Sequence, residues 1–370
     1  MREHRQLVDS WRQGSGRFLA TLVGVQGSSY RRPGARLMIG KQGTYVGGIS
    51  GGCLEADLVR KAAWLARNGA VVERYSTLIE EGSEIPFGLG CGGVLDILIE
   101  PVDSAECQAL LQAMEQALSG QSFTLATWLP QSDRPLQRAI FQSSGDLVFS
   151  SPDLSSDATA SVRGACANAC SLLDGIVVEP LLPPQKLFLF GAGDDVKPLA
   201  AMALLLGWSV TIADGRTNLL SRQRFPDPAI QFSESVAAAI GSVQAADAAV
   251  IMTHSFQQDG QCLEGLLPLR PRYLGLLGAR HRSAMLLDQA SASLRLPLEE
   301  CLKRVHTPAG IDIGAEGPDA IALSILAEIQ ACCSGRGAGP QKLTADSVEQ
   351  YLAEGKDRPP LVELCAMGVL

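Results

Sequence analysis

Two cysteines in this chain sit among residues that lack side chains. Cys53 follows the run Gly47-Gly48-Ile49-Ser50-Gly51-Gly52 and precedes Leu54 and Glu55; Cys91 lies between Gly90 and Gly92 in the run from Gly88 to Gly93. Glycines free the backbone to form an anion-cradling turn, and a helix following such a turn aims unpaired N–H groups at whatever binds there. A thiol at a helix start has a lowered pKa and more thiolate at neutral pH. One cysteine in a glycine loop is ordinarily structural, but two in one region point to chemistry. The remaining cysteines lie in apolar or helical runs and are expected in the core. Arg31, Arg32 and Arg36 surround Pro33-Gly34 and make a basic loop in an acidic chain, suited to a phosphate-bearing ligand; a solvated turn is the plainer reading.

A third glycine run, Gly191-Ala192-Gly193-Asp194-Asp195-Val196, lies between the apolar run KLFLF and a helical pattern, and Asp214 ends the following apolar run. In a dinucleotide fold the first glycine permits the tight turn, the second admits the pyrophosphate, and the acid receives the ribose hydroxyls. Two readings stay open. One is an NAD(P)-dependent oxidoreductase built on Gly191, Gly193 and Asp214, with His254, after the run AAVIMT, as its acid–base group. The other is a scaffold whose nucleotide site is degenerate. Val196 replaces the third glycine, and two carboxylates at the helix start satisfy the dipole themselves and repel a phosphate.

Strands and helices must position these loops. FLATLVGV, ARLMI with TYVGG, VVERYS and VLDILIEP read as strands, and CLEADLVRKAAWLARNG as a helix with Leu54, Leu58, Ala62 and Leu65 on one face. Ser104 opens a second helix to about Leu118; FTLATWLP, AIFQ and LVFS follow as short strands, and Ser150 to Ala160 reads as an exposed connection. From Lys186 onwards strands KLFLF, WSVTIAD, AAVIMTHS and YLGLLG alternate with helices, and HTPAGIDIG opens the last unit. That alternation specifies a parallel sheet with right-handed crossovers. The expected fold class is therefore α/β: a mixed α+β region over residues 1–183, a Rossmann-like doubly wound domain over 184–335, and a tail over 336–370.

Composition removes several function classes. The chain has 370 residues, with 31 Lys plus Arg against 39 Asp plus Glu for a net charge of −8. Such a chain has no overall field to attract nucleic acid or anionic lipid. Apolar residues at 46% and charged residues at 19% exclude a disordered scaffold. The apolar stretch from Leu199 to Val210 is too short to span a bilayer. The charged N-terminal run has no apolar centre of a secretory signal, so the expected location is the cytoplasm, where the ten cysteines stay reduced. No CxxC occurs, and neither Cys166/Cys170 nor Cys332-Cys333 has zinc-site spacing.

With these residues in view, the chain resembles the XdhC/CoxI family, the xanthine dehydrogenase accessory factors. The resemblance rests on GSSYRRPGARL, GGISGGCLEADLV and FGLGCGGVLDILIEP in the first region. In the second it rests on FLFGAGDDVKPLA, ADGRTNLLSRQRFPD, THSFQQD, YLGLLGARHR and TPAGIDIGAEGPDAIALSILAEI. It implies a maturation factor without turnover chemistry of its own. Its cargo is the molybdenum cofactor, protected while a cysteine desulfurase supplies the sulfido ligand and then passed to a molybdenum hydroxylase apoenzyme, with a homodimer as the assembly. The resemblance places Gly51, Gly52, Cys53, Glu55, Gly90, Cys91, Gly92, Arg31, Arg32 and Arg36 at the cargo, with Gly191, Gly193, Asp214, Arg216 and His254 in the second domain. Cys53 or Cys91 would meet the metal only through the bound cofactor, a partner for which a soft thiolate is suited. A persulfide carried on Cys53 is a related reading. Where family members usually continue His-Val-Gly after the glycine turn, this chain has Asp194-Asp195-Val196.

Overall fold

The computed structural model describes residues 2–76, 93–163, 170–173, 175–337, 344–346 and 348, with no side-chain description at residues 53 and 173. Helix α1 (Arg2–Arg12) buries Leu7 and Val8 and leads into β1 (Gly16–Gly27), β2 (Arg36–Gly40) and β3 (Tyr45–Gly47). After helix α2 (Cys53–Leu65) come β4 (Val71–Ser76) and β5 (Gly93–Pro101). These strands form an antiparallel sheet in the order β3-β2-β1-β5-β4.

The chain then goes through the same sequence of elements again. Helix α3 (Ala105–Leu118) precedes β6 (Phe123–Trp128), β7 (Gln137–Gln142) and β8 (Leu147–Ser150); α4 (Ser156–Val162) precedes β9 (Ser171–Leu173) and β10 (Ile176–Leu181). The second antiparallel sheet has the order β8-β7-β6-β10-β9, which is the first order element for element. Residues match as well. Thr21 pairs with Arg36 and Leu19 with Glu100; Thr127 pairs with Arg138 and Leu125 with Glu179. The strings Leu-Ala-Thr, Arg-Pro-x-x-Arg and Glu-Pro therefore each occur twice in equivalent places.

The two units brace each other reciprocally. The Arg36 guanidinium donates to both carboxylate oxygens of Glu179, at 2.8 and 2.5 Å, and Arg138 donates to both of Glu100, at 3.0 and 3.1 Å. All four side chains are buried. Equivalent residues exchanging partners across an interface is the arrangement of a two-fold dimer, here within one chain. Arg138 Nε also donates to Thr127 Oγ1 at 3.1 Å, whereas the equivalent atoms, Arg36 Nε and Thr21 Oγ1, have no partner among the described residues. Helices α1 and α3 share one core with both sheets, through Leu7, Leu19, Met38, Leu110, Phe123 and Leu125.

The C-terminal half is built on β11 (Lys186–Phe190), α5 (Val196–Leu205), β12 (Ser209–Ala213), β13 (Gln231–Ser233), α6 (Val236–Ser242), β14 (Ala248–Ile251), α7 (Phe256–Leu266), β15 (Tyr273–Leu276), α8 (Arg280–Leu294), α9 (Leu298–Arg304) and α10 (Pro318–Cys333). The sheet is parallel throughout, in the order β13-β12-β11-β14-β15. Helices α5 and α10 cover one face through Leu199, Ala203, Ile325 and Ile329. Leu263, Leu266, Leu286 and Leu287 of α7 and α8 cover the other. Burial on both faces is why the central strands β11 and β14, and β15 beside them, are apolar at almost every position. The α/β expectation holds.

Three local expectations do not. The stretch from Ser150 to Ala160 contains the start of α4, because Ser155 Oγ accepts from Ala158 N and caps it. The fifth parallel strand is the three-residue β13, whose sequence carries no apolar run. At HTPAGIDIG, His306 makes only an isolated parallel bridge to Gly275. No helix among the described residues is long and apolar enough to cross a membrane.

Candidate functional site

The antiparallel order of the first sheet brings the sequence-predicted loops to one end. Strand β1 ends there at Gly27, β3 at Gly47 and β4 at Ser76, while β2 starts there at Arg36 and β5 at Gly93. The loops carrying Arg31 and Arg32 and the run Gly48–Gly52 thus share an edge with the chain entering β5. Gly93 pairs with Gly27, and a Cβ on it would lie 2.1 Å from Ser28 O, so β5 starts directly against the arginine loop. Gly90, Cys91 and Gly92 lie outside the described residues.

The turn before α2 is held from within. Glu55 reaches back under it: Oε1 accepts from Ile49 N at 2.9 Å and Ser50 N at 2.7 Å, and Oε2 accepts from Gly52 N at 3.1 Å and from the Ser50 hydroxyl. Ser50 Oγ in turn accepts from Leu54 N at 3.2 Å. Burial raises the Glu55 pKa, but these donors outweigh it and hold the carboxyl below its ordinary value. Glu55 shapes the loop from inside, with both carboxylate oxygens engaged by it, and the N–H groups of residues 49, 50, 52 and 54 are already satisfied. What the turn offers outward is Gly51 and Gly52, which are exposed, and α2 begins immediately after them at Cys53.

The three arginines separate. Arg36 is 3% exposed and held by Glu179, so it is a structural residue and not a phosphate ligand. Arg31 is half-buried and its Nη1 donates to Glu3 Oε1 at 2.8 Å, with Nη2 on the other carboxylate oxygen. That bond holds the Glu3 pKa low. Arg32 is exposed and has no charged partner among the described residues. Beneath them, burial and the Arg36 charge push the His4 imidazole down to about 3, so it stays neutral at physiological pH.

In the second half the glycine turn sits at the switch point, where the chain leaves β11 with β12 on one side and β14 on the other. Gly191 (φ +123°) passes so close to β14 that a Cβ would lie 2.4 Å from Met252 O. His254, itself at φ +63°, places Nε2 2.8 Å from Asp195 Oδ2 across this point. Asp194 turns instead to Lys197 and Arg224, and neither acid caps α5. The expected ribose acceptor is occupied. Asp214 accepts from Ala192 N, Arg216 N and the Arg216 side chain, at 2.7–3.0 Å. Burial opposes its ionisation, but the Arg216 bonds prevail and keep its pKa low. Asp214 and Arg216 therefore fix the turn, and a ribose at this position would have to displace these bonds.

The first turn of α1, which carries no recognisable motif, touches both regions. Glu3 grips Arg31, while Arg2 lines a cavity together with Lys197 and Arg224 of the parallel-sheet half. Its only sequence signal is the alternating charge in MREHR.

The pattern described as the XdhC Rossmann domain matches residues 187–329, and that of the XdhC and CoxI family matches residues 10–76. A protein of Bacillus subtilis (strain 168) named as a probable xanthine dehydrogenase subunit is 28% identical over 84% of this chain and 91% of its own length. The "Molybdenum cofactor insertion chaperone PaoD" of Escherichia coli (strain K12) is 25% identical over 88% of each. A crystal structure described as a xanthine dehydrogenase from Bacillus halodurans superposes with a TM-score of 0.77 at 29% identity, covering 94% of this chain and 99% of that one.

Proposed function

The chain belongs to the XdhC and CoxI family, and on that premise we propose that it binds the molybdenum cofactor as cargo, protects its sulfurated form and assists its insertion into a xanthine dehydrogenase-type molybdenum hydroxylase. A relative named as a molybdenum cofactor insertion chaperone supports the cargo, and relatives named for xanthine dehydrogenase support the recipient. The observation that carries the reading is the shared sheet end, where Cys53 starts α2 beside the loop of Arg31 and Arg32.

In this reading Cys53 and Cys91 supply soft sulfur to the metal's ligand shell, and a helix start favours the thiolate form of Cys53. Arg32, with Arg31 once Glu3 releases it, takes the cargo phosphate. Gly51 and Gly52 leave room above the turn. A cysteine desulfurase delivers the sulfido ligand, the assembly is a homodimer, and the work is done in the cytoplasm by an accessory factor without turnover. Residues 1–183 hold the cargo and residues 184–335 form the Rossmann-like half, with 336–370 as a tail. Nothing favours the oxidoreductase alternative, since Asp214 and Arg216 already satisfy each other.

The test is retention of cofactor by the purified chain, read as molybdenum and pterin co-eluting with protein, repeated with Cys53→Ala and Cys91→Ala. Loss in either variant supports the site. Unchanged retention in both refutes the thiol assignment, and no retention by the unaltered chain refutes the function.

A further inference from the structure

A cavity of about 530 Å3 runs between one face of α5 and the chain leading into β13, and Arg2 of α1 also lines it. Lys197, Ala201, Leu204 and Leu205 recur at helical spacing, so one cation and an apolar strip lie along the same wall. Arg224 enters from the opposite wall. Its Nη2 donates to Ala192 O at 3.0 Å, which fixes the guanidinium, and its buried Nε has no partner among the described residues.

The two cations meet on a single atom. Lys197 Nζ lies 2.8 Å and Arg224 Nη2 3.0 Å from Asp194 Oδ1. Asp194 is 79% exposed, and nothing else among the described residues holds its carboxylate. It is a short, rotatable anion standing where a ligand oxygen would be held. Exposed ion pairs of this sort contribute little, so displacing it costs little. A phosphate carries more charge and more acceptor oxygens than a carboxylate and competes well for the same donors.

The geometry points to an organic-phosphate site in this cavity: the phosphate replaces the Asp194 carboxylate between Lys197, Arg224 and Arg2, and an apolar or planar body lies along Ala201, Leu204 and Leu205. None of these residues belongs to the cysteine loops or forms the Asp214–Arg216 pair. The site does not depend on the identity of the cargo proposed above, because its test uses the chain without cargo.

Calorimetric titration of the full chain with ADP, AMP and pyrophosphate reads it directly. ADP is expected to bind more tightly than pyrophosphate, because only ADP covers the apolar strip. Arg2→Ala and Lys197→Ala each weaken ADP about tenfold, the loss of one charge-assisted contact. Ala201→Trp, at an exposed helical position, blocks the cavity. Asp194→Asn removes the internal competitor and tightens ADP about fivefold. Thermal melts show that each variant is folded. The proposal is overturned if neither the unaltered chain nor Asp194→Asn binds ADP. It is equally overturned if ADP binding survives Arg2→Ala, Lys197→Ala and Ala201→Trp but disappears in Asp214→Ala, which would assign the ligand to the side of the turn held by Asp214 and Arg216.

Discussion

His254 Nε2 and Asp195 Oδ2 lie 2.8 Å apart and tie the turn after β11 to the end of β14. The two glycines of that turn respond differently to a methyl group. In Gly191→Ala the Cβ meets the backbone at Met252 O, 2.4 Å away, at φ +123°. No rotation relieves this, and the loss is expected to be about 3 kcal/mol or more, seen as a lowered melting temperature. In Gly193→Ala the nearest atom is Asp195 Oδ1 at 2.5 Å, the end of a side chain that can rotate away. That variant stays folded but loses the Asp195–His254 contact, which shifts the His254 ring resonances in an NMR spectrum.

Removing either member of the Arg36–Glu179 pair leaves a buried charge alone. Arg36→Met or Glu179→Leu is expected to destabilise by about 3–5 kcal/mol in urea unfolding, and the double replacement to recover much of that. Arg138 and Glu100, the reciprocal pair, should behave alike. A residue that only held ligand phosphate would instead lose affinity at unchanged stability.

Acid should loosen the turn before α2. The folded-state pKa of Glu55 lies below its ordinary 4.5, so the stabilisation is present above that value and is lost as pH falls through the folded-state value. Asp214 adds to the same acidic limb from an ordinary 3.8. Urea midpoints measured from pH 6 down to pH 3 should fall, less steeply in Glu55→Gln, whose own stability at pH 6 is lower because an ionic cap is gone. Equal slopes in the two proteins would contradict the assignment.

Thiol labelling should be selective. Burial pushes the Cys170 and Cys262 thiols up to about 12 and raises that of Cys107 well above its ordinary value. At pH 7.5 iodoacetamide is expected to modify Cys53 well before these three, read by peptide mass spectrometry, with the difference abolished in denaturant.

Much of the fold is legible in local pattern. The parallel half can be read because a strand buried on both faces is a continuous apolar run. The glycine run before α2 can be read because a turn and a helix start leave marks in neighbouring residues. The functions of Arg36, Glu55 and Asp214 cannot, since each depends on a partner set by folding. Arg36 and Glu179 stand far apart in sequence, and nothing adjacent to Arg36 signals a buried carboxylate. Helix α4 is hidden because Ser and Asp favour both loops and caps. The internal duplication escapes notice because its matching strings drift: the gap from Thr21 to Thr127 is longer than that from Glu100 to Glu179, so no fixed period exists.

The duplication also explains why only one unit carries the glycine and cysteine loops. Ser76 and Gly93 are joined by a long connection in the first unit, whereas their counterparts, at Leu173 and Ile176, almost touch in sequence. As long as it keeps Arg138 and Glu179, the second copy can shed every ligand-handling feature and still serve as a splint for the first. A ligand held by the loops of the first unit would then place no demand on the outer face of the second.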